Sequence, residues 1–225
     1  MKKLITAVAL LIFGVANAQL KEGSVTYVMT IEGLPPEQAA MMGDMETKVS
    51  FKGNKSLTEV NSMMMTSKAL VDDNGSLFLM DQMGNKSFIR TSKAEMDKNS
   101  EVNKDKEPRI ELTNETKTIA GYECKKANVT LTTGKNNEEI KTEVWFTDKI
   151  SYVKQGGGRK GGEMFKGLNG MPMEYSVPQG PMKIKMSAKE VSTETVPDSK
   201  FVLTTEGYTE MKMEDLKKMQ QGGSK

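Results

Sequence analysis

Thioether sulfur is the functional group this chain holds in excess. The 225 residues include 19 Met, one Cys and no His. The lack of His closes three kinds of chemistry: His-based nucleophile triads, His-ligated zinc and haem held by a His. A lone Cys makes no intramolecular disulfide and no multi-cysteine metal site. Methionine is unbranched, flexible and polarizable, which leaves three uses open. It can fill a core in place of Leu, line an adaptable apolar surface, or offer a soft ligand to Cu(I). The clusters are Met41, Met42 and Met45; Met63, Met64 and Met65; Met80 and Met83; Met171 and Met173; Met182 and Met186; Met211 and Met213. Met171-x-Met173 and Met211-x-Met213 would each put two sulfurs on one face of a strand, the spacing a Cu(I) site would use.

Other candidate constellations are incomplete. Gly156-Gly157-Gly158-Arg159-Lys160-Gly161-Gly162 lacks the Ser or Thr that follows the lysine of a phosphate-binding loop, so a flexible lid is the expected role. Asp72-Asp73-Asn74-Gly75 lacks the ligand spacing and closing Glu of a calcium loop. No pair of carboxylates stands apart from the solvated charges, so an enzyme is not expected. Cys124 is expected as a buried, inert thiol, with intermolecular pairing as the alternative.

The N-terminus supplies the compartment. MKKLITAVALLIFGVANA has a basic start, an apolar run from Leu4 to Val15, and a small-x-small end at Ala16-Asn17-Ala18. This is the pattern of a signal peptide cleaved before Gln19. The chain carries 32 basic and 30 acidic residues, and the excess is Lys2 and Lys3. Residues 19–225 are therefore balanced, which argues against nucleic acid as a partner. They contain no apolar run long enough for a membrane helix. A periplasmic or secreted protein is expected.

The remaining residues alternate with a period of two between Gly and Asn turns, which predicts short antiparallel strands. Val25, Tyr27, Met29 and Ile31 mark the first. Hairpins turn at Gly53-Asn54, Asp73-Asn74-Gly75 and Met83-Gly84-Asn85. Residues 92–108 are polar and read as an exposed loop with a helical turn from Lys93 to Lys98. Ala127, Val129 and Leu131 share a face of a later strand. Trp145 faces away from Val144 and Phe146. Met182, Ile184 and Met186 define an amphipathic strand, and Asp198 to Leu203 is expected to end the sheet. Short helices are predicted near residues 36–45 and 210–220. The expected fold is mainly β, a single domain over 19–225. It is one large curled antiparallel sheet, a half-barrel of ten or eleven strands, with a few short helices covering its concave face.

One motif resembles a known family. Ile119-Ala120-Gly121-Tyr122-Glu123-Cys124-Lys125 precedes a strand ending Glu143-Val144-Trp145-Phe146-Thr147. This is similar to the signature of a secreted bacterial family of unassigned function. That family is distantly similar to the periplasmic lipoprotein carrier and receptor of the lipoprotein localisation pathway. The resemblance implies a half-barrel with helices at its mouth and an apolar cavity for acyl chains. No residue here matches the carrier's functional positions, so lipoprotein transport does not follow. Gly121 and Tyr122 have fold reasons to stand in the motif: a backbone conformation that a Cβ would hinder, and a ring that packs while its hydroxyl finds a partner.

The expected function is a non-enzymatic binding protein that holds a lipid or other apolar ligand, with no cofactor. A Met-rich Cu(I)-binding protein is the alternative. The expected lining is Met41, Met42 and Met45 from the first helix, with Met63, Met65, Phe78 and Met80 from the first meander. Trp145, Met164, Phe165, Met171 and Met173 complete it. The partner is an apolar small molecule or acyl chain, and the oligomeric state is left open.

Overall fold

The computed structural model describes residues 19–33, 45–62, 65–102, 107–133, 138–151, 164–179 and 182–212. Two meanders build one sheet. The first is β1 (Glu22–Glu32), β2 (Met45–Lys52), β3 (Lys55–Asn61), β4 (Met65–Asp72), β5 (Gly75–Gln82) and β6 (Asn85–Ser92). The second is β7 (Arg109–Ile119), β8 (Tyr122–Thr133), β9 (Glu138–Thr147), β10 (Met171–Gln179) and β11 (Met182–Ser192). They join where β1 pairs antiparallel with β11, through partners such as Val25–Val191 and Met29–Met186. A two-residue strand, β12 (Thr209–Glu210), adds a parallel twelfth member beside β6. The spatial order is β12-β6-β5-β4-β3-β2-β1-β11-β10-β9-β8-β7.

Chain connectivity demands that this sheet curl. The polypeptide passes from β6 near one edge to β7 at the other, across ten strand spacings, or about 48 Å if flat. Only residues 93–108 make the link. Ten of them form the helix α1 (Lys93–Val102). A ten-residue helix and six extended residues reach about 36 Å. A flat sheet is therefore too wide, and the open sheet curls.

Helix α1 is longer than the single turn expected from its polar composition. Its start is a capping box: the Ser92 hydroxyl accepts from the Glu95 amide at 3.3 Å, and the Glu95 carboxylate accepts from the Ser92 amide at 2.8 Å. The helix predicted near 36–45 lies outside the described residues, except that Met45 opens β2. The helix predicted at 210–220 also lies outside them, apart from its first residues, where Glu210 closes β12.

The turns follow the sequence with one shift. Met83-Gly84 and Ala120-Gly121 are two-residue loops with positive φ at both positions, the form whose twist suits a hairpin. No atom lies within 4 Å of a Cβ built on Gly121, so its φ of 82° is the constraint rather than a contact. The loop between β4 and β5 is Asp73-Asn74 rather than Asn74-Gly75, and neither residue has positive φ. The Asp72 carboxylate accepts from the Asn74 amide at 2.8 Å and so fixes that turn.

Side-chain alternation gives the sheet two faces. On one, the register places Val25, Tyr27, Val49, Phe51, Val129, Val144, Tyr175 and Met186. The segment Met164–Leu168 packs onto this Tyr27 face, and Phe165 meets Tyr175 edge-on at 4.6 Å between centroids. The buried Tyr27 hydroxyl donates to the Pro172 carbonyl at 2.8 Å. On the other face, Leu57, Leu70, Leu77 and Leu79 form a second cluster under Val196 and Phe201. Phe201 closes a short 3-10 turn, Asp198–Phe201, so residues 198–203 do not end the sheet as the sequence predicted; its last strand is β12.

Candidate functional site: a methionine-lined band on the Tyr27 face

The apolar residues of the Tyr27 face continue past its packed core. Three neighbouring strands carry Met45, Met29 and Met186 as direct partners, in the order β2, β1, β11. One step outward along the strands, Ile31 pairs with Ile184, and Ile184 with Val177. Toward β5 the same face holds Val60, Met65, Phe78 and Met80. Met29, Met45, Ile31, Ile184, Met65, Phe78 and Met80 are half-buried, whereas Val25, Val49 and Phe51 are sealed. The face thus changes from a solid core to an open apolar band.

Two hydroxyls accompany the band. Thr47 pairs with Tyr27 and Val60, and Thr58 pairs with Val49 and Ala69, so both point to this face. Their Oγ1 atoms are buried and lack a hydrogen-bond partner among the described residues. A buried hydroxyl without a partner carries a desolvation cost that an acceptor placed beside it would remove.

The expected lining residues fall into separate places. Met45, Met65, Phe78 and Met80 come together on the band. Met164, Phe165, Met171 and Met173 are at most 1% exposed and belong to the packed core cluster, so they border no open space. The cause is local. Gly170 has φ +152°, and a Cβ there would lie 2.1 Å from the Thr147 carbonyl oxygen. Glycine lets residues 164–170 press against the sheet, where a lid was expected. Met41, Met42, Met63 and most of the Gly-rich run lie outside the described residues. Met29 and Met186 were absent from the expected lining. Their alternation was visible in the sequence, but the pairing of β1 with β11 was not.

Trp145 stands on the opposite face. Lys117 Nζ lies 4.3 Å from its ring centroid and donates to Glu174 at 2.7 Å. Burial opposes ionisation of Glu174, but Lys117, Lys185 and the Ser187 hydroxyl outweigh it and hold the carboxyl below its usual range. Beside Trp145 is a cleft of about 760 Å³, bordered by Glu32, Arg109, Lys141, Glu174 and Lys185. Among the described residues, this open volume and the Met-lined band therefore lie on opposite faces. The single apolar cavity that would have grouped Trp145 with the methionines is divided by the sheet.

Cys124 is fully buried, as expected, and its Sγ lies 3.4 Å from the Tyr122 carbonyl. Burial pushes the thiol up to about 11, so it stays protonated and unreactive at neutral pH. No group of three or more Asp, Glu, Cys or His side chains is placed to hold a metal ion among the described residues. None of the described helices is long and apolar enough to cross a membrane.

No family model matches the chain, and no curated protein matches its sequence. Among solved structures it is similar to LprF from Mycobacterium bovis, with 14% identity over 79% of this chain and 89% of that one. The TM-score is 0.32, and a likeness at that level adds nothing to the geometry of the band.

Proposed function

We propose that this is an exported, non-enzymatic binding protein that holds a lipid or acyl chain against the Met-lined band of the Tyr27 face. The observation that carries the reading is the half-burial of Met29, Met45, Met65, Phe78 and Met80 where the packed core gives way. Thioether side chains suit such a surface because they repack around different chain shapes at little cost. The buried hydroxyls of Thr47 and Thr58 favour a ligand with a hydrogen-bond acceptor near its apolar part, such as an ester or a carboxylic acid. The basic, apolar and small-x-small pattern of residues 1–18 supports export with a mature start at Gln19. The motif at Ile119–Lys125 resembles a secreted family and agrees with this reading.

The test is native mass spectrometry and lipid extraction of the protein purified from its own host. The expected result is a bound species of apolar mass, lost from a Met45→Lys, Met65→Lys variant that retains its circular dichroism. Bare protein in both preparations would overturn the reading.

A further inference from the structure

Three thioethers on three neighbouring strands form a different kind of site. Met29 sits at the centre, with Met45 of β2 as its partner on one side and Met186 of β11 on the other. All three share the Tyr27 face. Directly paired residues have Cβ atoms about 4.5–5.5 Å apart. Each methionine then has two more bonds to bring its sulfur inward, so three sulfurs can converge on one small ion. We propose that Met29, Met45 and Met186 bind one Cu(I) ion through their three thioether sulfurs.

The donor chemistry is selective. Thioethers are soft, neutral ligands that suit Cu(I), whereas Zn(II) and Cu(II) prefer imidazole, thiolate or oxygen donors. The chain has no His to attract those ions. The Cys124 thiol is buried and does not compete. Access also separates this trio from the spacings that the sequence offered. Met171 and Met173 are 0% exposed, and a β-bulge breaks the pairing between Pro172 and Glu174. Met29 and Met45 are half-buried and Met186 is 7% exposed beside them, so an ion can reach the row from its Met29–Met45 side. Binding requires no change of oxidation state, because the ion arrives and remains as Cu(I).

The site is read out separately from the lipid reading, since copper binding is measured directly and Met→Leu substitutions remove the sulfur donors at nearly constant volume. The experiment is anaerobic titration of the purified protein with Cu(I), in competition with a chromophoric Cu(I) chelator. X-ray absorption of the copper-loaded form accompanies it. One equivalent should bind with three sulfur scatterers. Met29→Leu should weaken binding at least tenfold, and the Met29→Leu, Met45→Leu, Met186→Leu variant should abolish it. A Met171→Leu, Met173→Leu variant should bind as the wild type does. Circular dichroism checks that each variant folds. No binding by the wild type, equal binding by the triple variant, or a copper shell without sulfur would each overturn the proposal. Wild-type protein that carries lipid but binds no copper would overturn this proposal alone, and wild-type protein that binds copper but carries no lipid would overturn the lipid reading alone.

Discussion

The two apolar layers of this sheet differ in composition and in how they are closed. Among the described residues, the buried layer under Val196 and Phe201 has four leucines and no methionine. The layer on the Tyr27 face contains Met164, Met171, Met173 and Met186 and runs outward into a half-buried Met band. Leucine has few rotamers and fixes one packing, whereas Met adapts. The Leu layer also has a polar fastening. The Glu22 carboxylate accepts from the Val196 amide at 2.8 Å, Lys52 donates to the Val196 carbonyl at 3.3 Å, and Lys200 pairs with Glu59 at 2.6 Å. These pins hold residues 196–201 in one place. The leucine side is thus fastened and packed, whereas the methionine side leaves apolar surface half-buried.

The largest expected effect comes from removing the leucine layer's cover. Phe201→Ala should lower the unfolding free energy by about 3–5 kcal/mol, read by urea denaturation. Ligand copurification should scarcely change in the protein that remains folded. A loss under 1 kcal/mol would mean that the cover is not part of the core.

Gly170→Ala tests the packed part of the methionine side. The added Cβ meets the Thr147 carbonyl, and the backbone is held at a φ that other residues rarely adopt. A loss of about 2–3 kcal/mol is expected, from strain and displaced packing. An unchanged midpoint would show that residues 164–170 are not pressed against the sheet as described.

A smaller effect belongs to the fastening. Burial opposes ionisation of Glu59, but Lys200 and Lys68 overcome it and hold the carboxyl below the ordinary value of 4.5. A carboxyl lowered in the folded state adds stability above its unfolded value, and that stability is lost as pH falls through the lowered one. Glu59→Gln should therefore cost about 1–2 kcal/mol at pH 7. It should also flatten the decline in stability below pH 4.5. An acid limb identical to the wild type would remove Glu59 from the account.

Local features of this fold were legible in the sequence, and long-range ones were not. Alternation marked β1, β8 and β11 and put Trp145 opposite Val144 because side-chain direction follows from strand geometry alone. The capping box at Ser92 and Glu95 was also present, but a highly polar stretch hid the helix that it starts. What could not be read was that β1 adjoins β11, about 160 residues away, since that pairing depends on chain-wide closure. For that reason the Met45–Met29–Met186 row is not legible in the sequence, although the sequence marks a strand or a methionine cluster at each of the three positions. The packed state of Met171 and Met173 was hidden too, because it depends on the close approach that Gly170 permits.

The central claim is that the Met-lined band, and not the packed methionines or the Trp145 cleft, receives the apolar ligand. The most direct measurement is methyl NMR of protein carrying 13C-methyl methionine, titrated with a long-chain fatty acid. The signals of Met29, Met45, Met65 and Met80 should shift in a saturable way, while those of Met164, Met171 and Met173 stay in place. Silent band signals, or shifts confined to Met164, Met171 and Met173, would contradict it.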